Sequence, residues 1–542
     1  MSEQGLAIAN KSSPAQPSID LTFPHGLPIP EAVTDTEVRK SAKLMELLHW
    51  VFSFPAMLGA FLVGLVFSGG RAFFVDPDLW WHIRNGQNIL ATHRWPTTDP
   101  YSFTVAGTSW LAYEWLGDVL LGFMAKSGLQ ALDGLLITLA SLVILALYYY
   151  STLCSENSKA GFVSSVLLCP LAFGSFTLRP QMFGFLFLIL TLIALELFRR
   201  GRQRALWFLP PLFVVWVNVH GSWVIGLGLV AVSLATGLFE FHIGSVEAQH
   251  WTKEQRIQLE LMLLASLAMI PVTPYGTRIA AYPFMVASSL PINVANILEW
   301  KPMPFELFGG KLFLGTLVFF FAFQIMYHFT FRVSQWILFL GGTITACMHR
   351  RFVLLFVAFF APLLATMLAR WFPRYIPSKD KFALNVILMV GVAAAMFWYF
   401  PSRPALDRIV EKEFPVRAVN YLRNHAVAGP IYNTYASGGY LIWALPEQKV
   451  FIDGRGDLYE IGGAFAEYLE AADLKPRAFF VLRAHGIRTC LLQRNEPLAT
   501  ALGEHPDWQQ VYGDEVNVIF VRREEPLAFD LAARKQTAAR KE

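Results

Sequence analysis

Apolar and polar positions divide this chain into stretches with different rhythms. From about residue 47 to residue 400, apolar runs of roughly 15 to 22 residues recur between short polar breaks, the length a helix needs to cross a hydrocarbon core. They predict helical spans near 47–69, 129–150, 161–178, 181–198, 204–219, 222–241, 258–272, 311–329, 334–347, 351–369 and 383–400. Several are shorter than a full crossing, as happens where helix ends break around a polar cavity. After Pro401 the runs become short. Val416–His425 has the spacing of an amphipathic helix, and Leu458–Ala472 also reads as helical. Pro430–Asn433, Lys449–Ile452, Ile487–Leu492 and Val516–Val521 read as strands. Strands alternating with helices predict a small α/β layer of roughly three to four strands, partly parallel.

The expected fold is a polytopic α-helical membrane protein of about eleven spans over residues 47–400, with a loop at 70–128. An autonomous α/β domain at 401–530 follows and caps the cavity. Residues 1–46 are polar and rich in Pro and Ser, and predict a disordered cytoplasmic tail. They do not resemble a cleavable signal peptide, so the first span stays as an anchor. Residues 531–542 read as a charged tail.

Composition agrees with that picture. Of 542 residues, 55% are hydrophobic and 15% charged, against roughly a quarter charged in a soluble domain. The net charge of +4 is spread over a long chain and gives no case for nucleic acid. Cys154, Cys169 and Cys347 lie in or beside spans and Cys490 is alone in the tail, so neither a disulfide framework nor a CxxC metal site is expected.

Lysine and arginine in short loops set the orientation. Arg39, Lys40 and Lys43 precede the first span and place the N-terminus in the cytoplasm. The run Arg199-Arg200-Gly201-Arg202-Gln203-Arg204 then falls inside, as do Lys253, Arg256, Arg332, Arg370, Arg374, Lys379 and Lys381. This predicts an odd number of crossings with the C-terminal domain extracytoplasmic. Trp110–Lys126 is apolar enough to cross but holds Glu114 and Asp118, and a crossing there would put the basic runs outside. It reads as a juxtamembrane or re-entrant helix.

With this orientation the unusual polar motifs share one face. The loop 70–128 opens with Asp76-Pro77-Asp78-Leu79-Trp80-Trp81-His82, two carboxylates, two indoles and an imidazole at a membrane surface, where acidic groups are costly and tend to be functional. Asp76 before Pro77 has the pattern of an N-cap, which does not exclude catalysis. Asp78 and His82 are four apart on one helix face, and read either as an ion pair or as two ligands of a divalent metal. Arg179 either snorkels to the interface or binds phosphate. Asn218 and His220 suit interhelical hydrogen bonding, and His220 also suits a substrate. Glu299 ends another loop on the same face. Arg350-Arg351 runs against the positive-inside trend and suggests a cationic site, with lipid headgroup contact as the alternative. In the tail, Asn433, Gly438-Gly439-Tyr440 and Asp453-Gly454-Arg455 follow strand ends, where α/β domains place ligands. Two glycine turns with a local Asp–Arg pair are the simpler reading.

The acidic opening of the first loop, the many spans and the α/β tail together resemble the glycosyltransferase C (GT-C) superfamily in an uncharacterised bacterial branch. The resemblance implies a multispan enzyme of the bacterial inner membrane that moves a sugar from a polyprenyl-phosphate donor to a glycan, lipid or protein acceptor, with inversion. It implies an acidic base or metal ligand in the first loop, and Asp76 and Asp78 are the matching positions. Many members have Asp-Glu there, where this chain has Asp-Pro-Asp. Arginine forks match phosphate oxygens, so Arg350, Arg351 and Arg179 are expected at the donor phosphate. Trp80, Trp81, Trp216, His82, Glu114, His220 and Glu299 are expected around the substrates. The alternative is a catalytically inactive lipid-binding scaffold or subunit of a membrane complex that keeps the fold. A transporter is disfavoured, because no charged residue sits clearly mid-span.

Overall fold

The computed structural model describes residues 35–70, 75–425, 427 and 429–523. The expected charged tail and most of the expected N-terminal tail lie outside them. The chain divides into two compact units. The first contributes α1 (Asp35–Val51), which is helical through residues expected to end the polar tail. The second begins at Phe52 and contains everything described below.

The second unit opens with α2 (Phe54–Gly69), where the Ser53 side chain accepts the Ala56 N–H and Pro55 sits in the first turn. In the acidic loop follow α3 (Leu79–Thr92) and α4 (Trp115–Met124). The long helices α5 (Leu129–Ser155), α6 (Ser158–Phe173) and α7 (Gln181–Arg199) come next, then α8 (Leu209–Val219), α9 (Trp223–Thr236) and α10 (Lys253–Ala268). The stretch expected as a loop before Glu299 holds α11 (Arg278–Ser289) and α12 (Pro291–Asn296). The apolar part closes with α13 (Phe308–Tyr327), α14 (Val333–Met348), α15 (Val353–Leu368) and α16 (Phe382–Trp398). Each expected span falls on a helix. Among the described residues four helices are long and apolar enough to cross a membrane, or six if two bent pairs each count as one span. That is fewer than the sequence predicts. At ten residues, α4 reaches about 15 Å, too little for a crossing.

Burial separates centre from edge. The apolar window of α15 is 83% buried and that of α13 only 28%, so α15 is the axis and α13 a margin. Charge separates the two helix ends. Beyond α5, Glu156 lies 3.0 Å from Arg200 and 3.1 Å from Arg374, and Glu196 of α7 pairs with Arg332. A small sheet of β1 (Phe241–Ile243), β2 (Val246–Ala248) and β3 (Phe331–Arg332), which the apolar rhythm did not announce, lies among these basic segments. The opposite ends of α5, α7 and α15 adjoin Pro401, Arg179 and Arg351.

In the tail the elements are α17 (Arg403–Glu413), α18 (Val416–Asn424), β4 (Ile431–Asn433), α19 (Tyr435–Ala444), α20 (Gly456–Ile461), α21 (Ala464–Ala472), α22 (Ala478–Ala484), β5 (Thr489–Gln493), α23 (Pro497–Glu504), β6 (Trp508–Gly513) and β7 (Asn517–Arg522). The strands run in the order β4-β5-β7-β6, with only β4 and β5 parallel. Lys449–Ile452 is not a strand of this sheet. Its backbone is used elsewhere: Val450 bridges Ser102, and Asn433 holds Phe451 N–H and Ile452 C=O at 2.8 and 2.7 Å. The edge strand β6 was not foreseen, and Ser437–Tyr440 lies inside α19 rather than in a turn.

Candidate functional site

At the acidic end, Asp76 folds back on its own loop. Its Oδ1 accepts the Asp78 N–H at 2.9 Å, an Asx turn that delays the helix to Leu79. Asp76 is therefore not the helix cap that Pro77 suggested, and its other oxygen accepts from Arg179 Nε. Arg179 stands in the tight turn between α6 and α7, where it gathers three carboxylates. Its Nη1 lies 3.1 Å from Asp78 Oδ2 and 3.6 Å from Glu299 Oε2. Glu299 Oε1 is 3.4 Å from Arg351 Nη1, and that guanidinium lies 4.2 Å over Trp300.

A second polar chain runs beside the first. His82 Nδ1 is 2.5 Å from Asp118 Oδ1, and Asp118 Oδ2 accepts from Asn85 at 2.7 Å. On its other side His82 Nε2 is 3.7 Å from Glu114 Oε2, and Glu114 Oε1 is 3.4 Å from His220 Nε2. His220 Nδ1 accepts the Ser222 N–H at 3.2 Å. In the neutral ring the proton then sits on Nε2 and faces Glu114.

Burial sets the protonation of these groups. It raises Asp78 to about 7 against the pull of Arg179, with Asp76 and Glu299 adding to the rise. It raises Glu114 to about 8 against the pull of His82, helped by Asp118. Burial, with Arg351, His82 and Arg179 nearby, lowers His220 to about 3. For His82 burial acts downward, but Asp118 and Glu114 outweigh it and the group rises.

Beside this cluster lies a narrow cleft of about 50 Å³. Arg351 and His220 give it a polar end, and Phe185, Leu188, Ile225 and Leu355 give it apolar walls.

No protein-family model matches the sequence, and no curated protein does. Solved structures do match. The fold is similar to the archaeal oligosaccharyltransferase AglB from Archaeoglobus fulgidus, in complex with an inhibitory peptide and a dolichol-phosphate, over 80% of this chain and 69% of that one (12% identity, TM-score 0.47). It is similar to ArnT from Cupriavidus metallidurans bound to undecaprenyl phosphate over 89% of this chain and 98% of that one (14% identity, TM-score 0.45). Arabinofuranosyltransferase AftD from Mycobacteria matches over 86% of this chain and 40% of that one (13% identity, TM-score 0.48). These structural neighbours are GT-C glycosyltransferases.

Several expected site residues take other work. Trp80 is buried, with its ring 5.3, 5.0 and 4.7 Å from Phe414, Tyr440 and Trp443, so it joins loop to tail instead of facing a sugar. Trp81 is buried and stacks on His82 at 3.6 Å. Trp216 is fully buried, its indole N–H on Ser222. Asp78 and His82 are held by different partners, Arg179 and Asp118, and do not form an ion pair with each other. Among the described residues no three His, Cys, Asp or Glu side chains group to hold a metal ion. Arg350 contributes its backbone N–H to Lys301 C=O at 3.0 Å, and its side chain makes no ion pair among the described residues.

The tail positions form an internal brace. Asn433 is fully buried on backbone groups. A Cβ on Gly438 would meet Ile452 O at 2.0 Å, and one on Gly439 would meet Pro77 O at 2.3 Å. Arg455 is forked by Asp453 at 2.8 and 2.7 Å and reaches Asp99 of the acidic loop at 2.8 Å. Each reads as packing because each is spent inside the fold. Sequence reasoning passed over Asp99, Asn85 and Glu460, and read Asp457 only as the end of the Asp453–Asp457 turn. Asp457 accepts from Tyr282 of α11, and Glu460 accepts the Ile292 and Asn293 N–H groups, both at 2.8 Å. Only their long-range partners mark them, and no local pattern carries that.

Proposed function

We propose that the protein is an integral membrane glycosyltransferase that moves a sugar from a polyprenyl-phosphate donor to an acceptor hydroxyl. Asp78 is the base. Both oxygens of Asp76 are engaged, whereas the Asp78 side chain is 13% exposed against 3% for Asp76. A carboxyl near 7 is also matched to proton transfer at neutral pH. The acceptor oxygen attacks the anomeric carbon and its proton passes to Asp78. The bond from that carbon to the phosphate oxygen breaks, the polyprenyl phosphate leaves, and the carbon inverts. Arg179 and Arg351 balance the charge on the departing phosphate, and the apolar walls beside Arg351 pack against the start of the chain. The carrying observation is the link from a half-buried carboxyl, through Arg179 and Glu299, to an arginine that lines that cleft.

In this reading the acidic end is extracytoplasmic, the chain crosses the inner membrane of a bacterium about eleven times, and residues 401–530 form the outer layer. The acceptor is a glycan, lipid or protein. The test is transfer from a panel of labelled polyprenyl-phosphate sugars by the purified full-length protein. Asp78→Asn should lose roughly 10²–10⁴-fold in rate while still binding donor. Wild-type turnover by that variant would remove Asp78 as base, and failure of every donor to react would remove the enzyme. One observation favours an inactive lipid-binding subunit instead: three carboxylates already meet Arg179. On that reading lipid phosphate binds and no sugar is ever released.

A further inference from the structure

Glu299 is held differently from every other acid in the cluster. Its two oxygens are divided between two arginines, Oε1 at 3.4 Å from Arg351 and Oε2 at 3.6 Å from Arg179. Charge-assisted hydrogen bonds of full strength lie near 2.7–2.9 Å, so both contacts are loose. Its side chain is 32% exposed, against 3% for Asp76, 13% for Asp78 and 12% for Glu114. Arg179 keeps its tighter partners without it, and Arg351 keeps Trp300. A loosely held anion therefore bridges two cations beside an apolar cleft.

The backbone around Glu299 is fixed. His349 Nδ1 lies 2.5 Å from Trp300 O, Arg350 N–H reaches Lys301 O at 3.0 Å, and Met303 N–H reaches Cys347 O at 3.1 Å. The Glu299 side chain, 32% exposed and at 3.4 and 3.6 Å from its partners, is the part not held in this way.

We propose that the Glu299 carboxylate occupies the place of the donor phosphate between Arg179 and Arg351, and yields it by side-chain rotation when donor binds. This rests on the donor-phosphate reading above and adds a selection step. Two bare arginines at a membrane surface would collect any anionic headgroup. With Glu299 in place, an anion must displace a carboxylate, and only one whose chain also packs on the apolar walls beside Arg351 gains enough to do so. The donor phosphate is a diester and offers the two forks two free oxygens and one negative charge, as the carboxylate does, so the chain packed on the cleft supplies the difference and the departing monoester gains a third oxygen.

The test is binding of farnesyl monophosphate, with farnesol as its uncharged counterpart, to the full-length protein in detergent free of anionic lipid. Glu299→Gln should tighten phosphate binding about tenfold, roughly 1.4 kcal/mol, and leave farnesol unchanged. Arg351→Gln should weaken the phosphate, and in that background the gain from Glu299→Gln should shrink. Glu299→Asp is too short to span both arginines and should shift affinity in the same direction as Glu299→Gln. If neither Glu299 variant tightens the phosphate while Arg351→Gln still weakens it, the placeholder is wrong and the arginine site stands. If the phosphate binds no better than farnesol to any variant, the donor-phosphate reading falls, and this inference with it.

Discussion

Asp76 and Asp78 stand two positions apart and differ in what their oxygens are already doing. Asp76 is a fixed negative charge next to Asp78 and helps to raise it. If Asp78 is the base, turnover should climb as pH rises through about 7. Asp76→Asn removes one of the charges behind the shift, so its acidic limb should move to lower pH, with a lower plateau because Arg179 is less well held. A pH–rate profile of both proteins checks this, and an unmoved limb would separate Asp76 from the titration. Glu114 gives a stability test. Its carboxyl stands at about 8 in the fold against an ordinary 4.5. Between those values the folded state keeps a proton that the unfolded state has lost, so stability falls as pH rises through the window. Glu114→Gln should flatten that fall above about pH 7, where Asp78 no longer contributes; thermal midpoints in detergent would show it. Most of these groups were visible in the sequence as polar residues in apolar surroundings. Their pairings were not. His82 was paired with Asp78 by helical spacing, whereas its partner Asp118 comes from another helix.

That partner depends on how α3 and α4 meet. A Cβ on Gly86 would lie 1.8 Å from Asp118 O, and one on Gly122 would lie 2.6 Å from Gln87 N. The two backbones touch at these glycines, and the contact brings the Asp118 carboxylate to His82. Gly86→Ala therefore has no room, since the obstructing atom is backbone. It should cost at least the roughly 1–3 kcal/mol of an overpacked core and part His82 from Asp118. Gly134→Ala in α5 meets nothing nearer than Phe400 at 4.0 Å and should keep or raise stability, as alanine does in a helix. Equal thermal midpoints for the two variants would argue against the close crossing. The Asp-Pro start pattern pointed to α3 and the apolar run Trp110–Lys126 to α4, whose carboxylates marked it as non-crossing. Periodicity has no term for the distance between two helices, so the glycines carried no readable message.

Across the whole molecule, the sorting of charge was the most legible property. Arg200, Arg332 and Arg374 gather at one end of α5 and α7, and Asp76, Asp78 and Arg179 at the other. Which end faces the cytoplasm is testable. Cysteines introduced near residue 200 should resist a membrane-impermeant reagent in intact cells, and those near residue 475 should react; the reverse pattern would invert the orientation. The tail was read as a separate domain, because its own strands and helices are all that local pattern reports. A buried cation ties it to the acidic loop. Arg455 is shared between Asp453 of the tail and Asp99 of the acidic loop, over the rings of Tyr101 and Trp110. Arg455→Leu leaves two buried carboxylates without their partner, a change that typically costs about 3–5 kcal/mol. It should lower the thermal midpoint of the intact protein, and a midpoint equal to wild type would mean that the brace is dispensable.

The meeting of Gly454 with Asp78 has a consequence for modularity. A Cβ at residue 454 would fall 1.6 Å from the Asp78 carboxylate, so the proposed base stands in a notch that the tail supplies by having no side chain there. Tail and membrane core are therefore not interchangeable parts. A graft of another α/β layer onto this core would have to bring glycine to that notch, glycine opposite Pro77 and a cation for Asp99. A layer lacking the first of these could fold perfectly well and still push the carboxylate out of line.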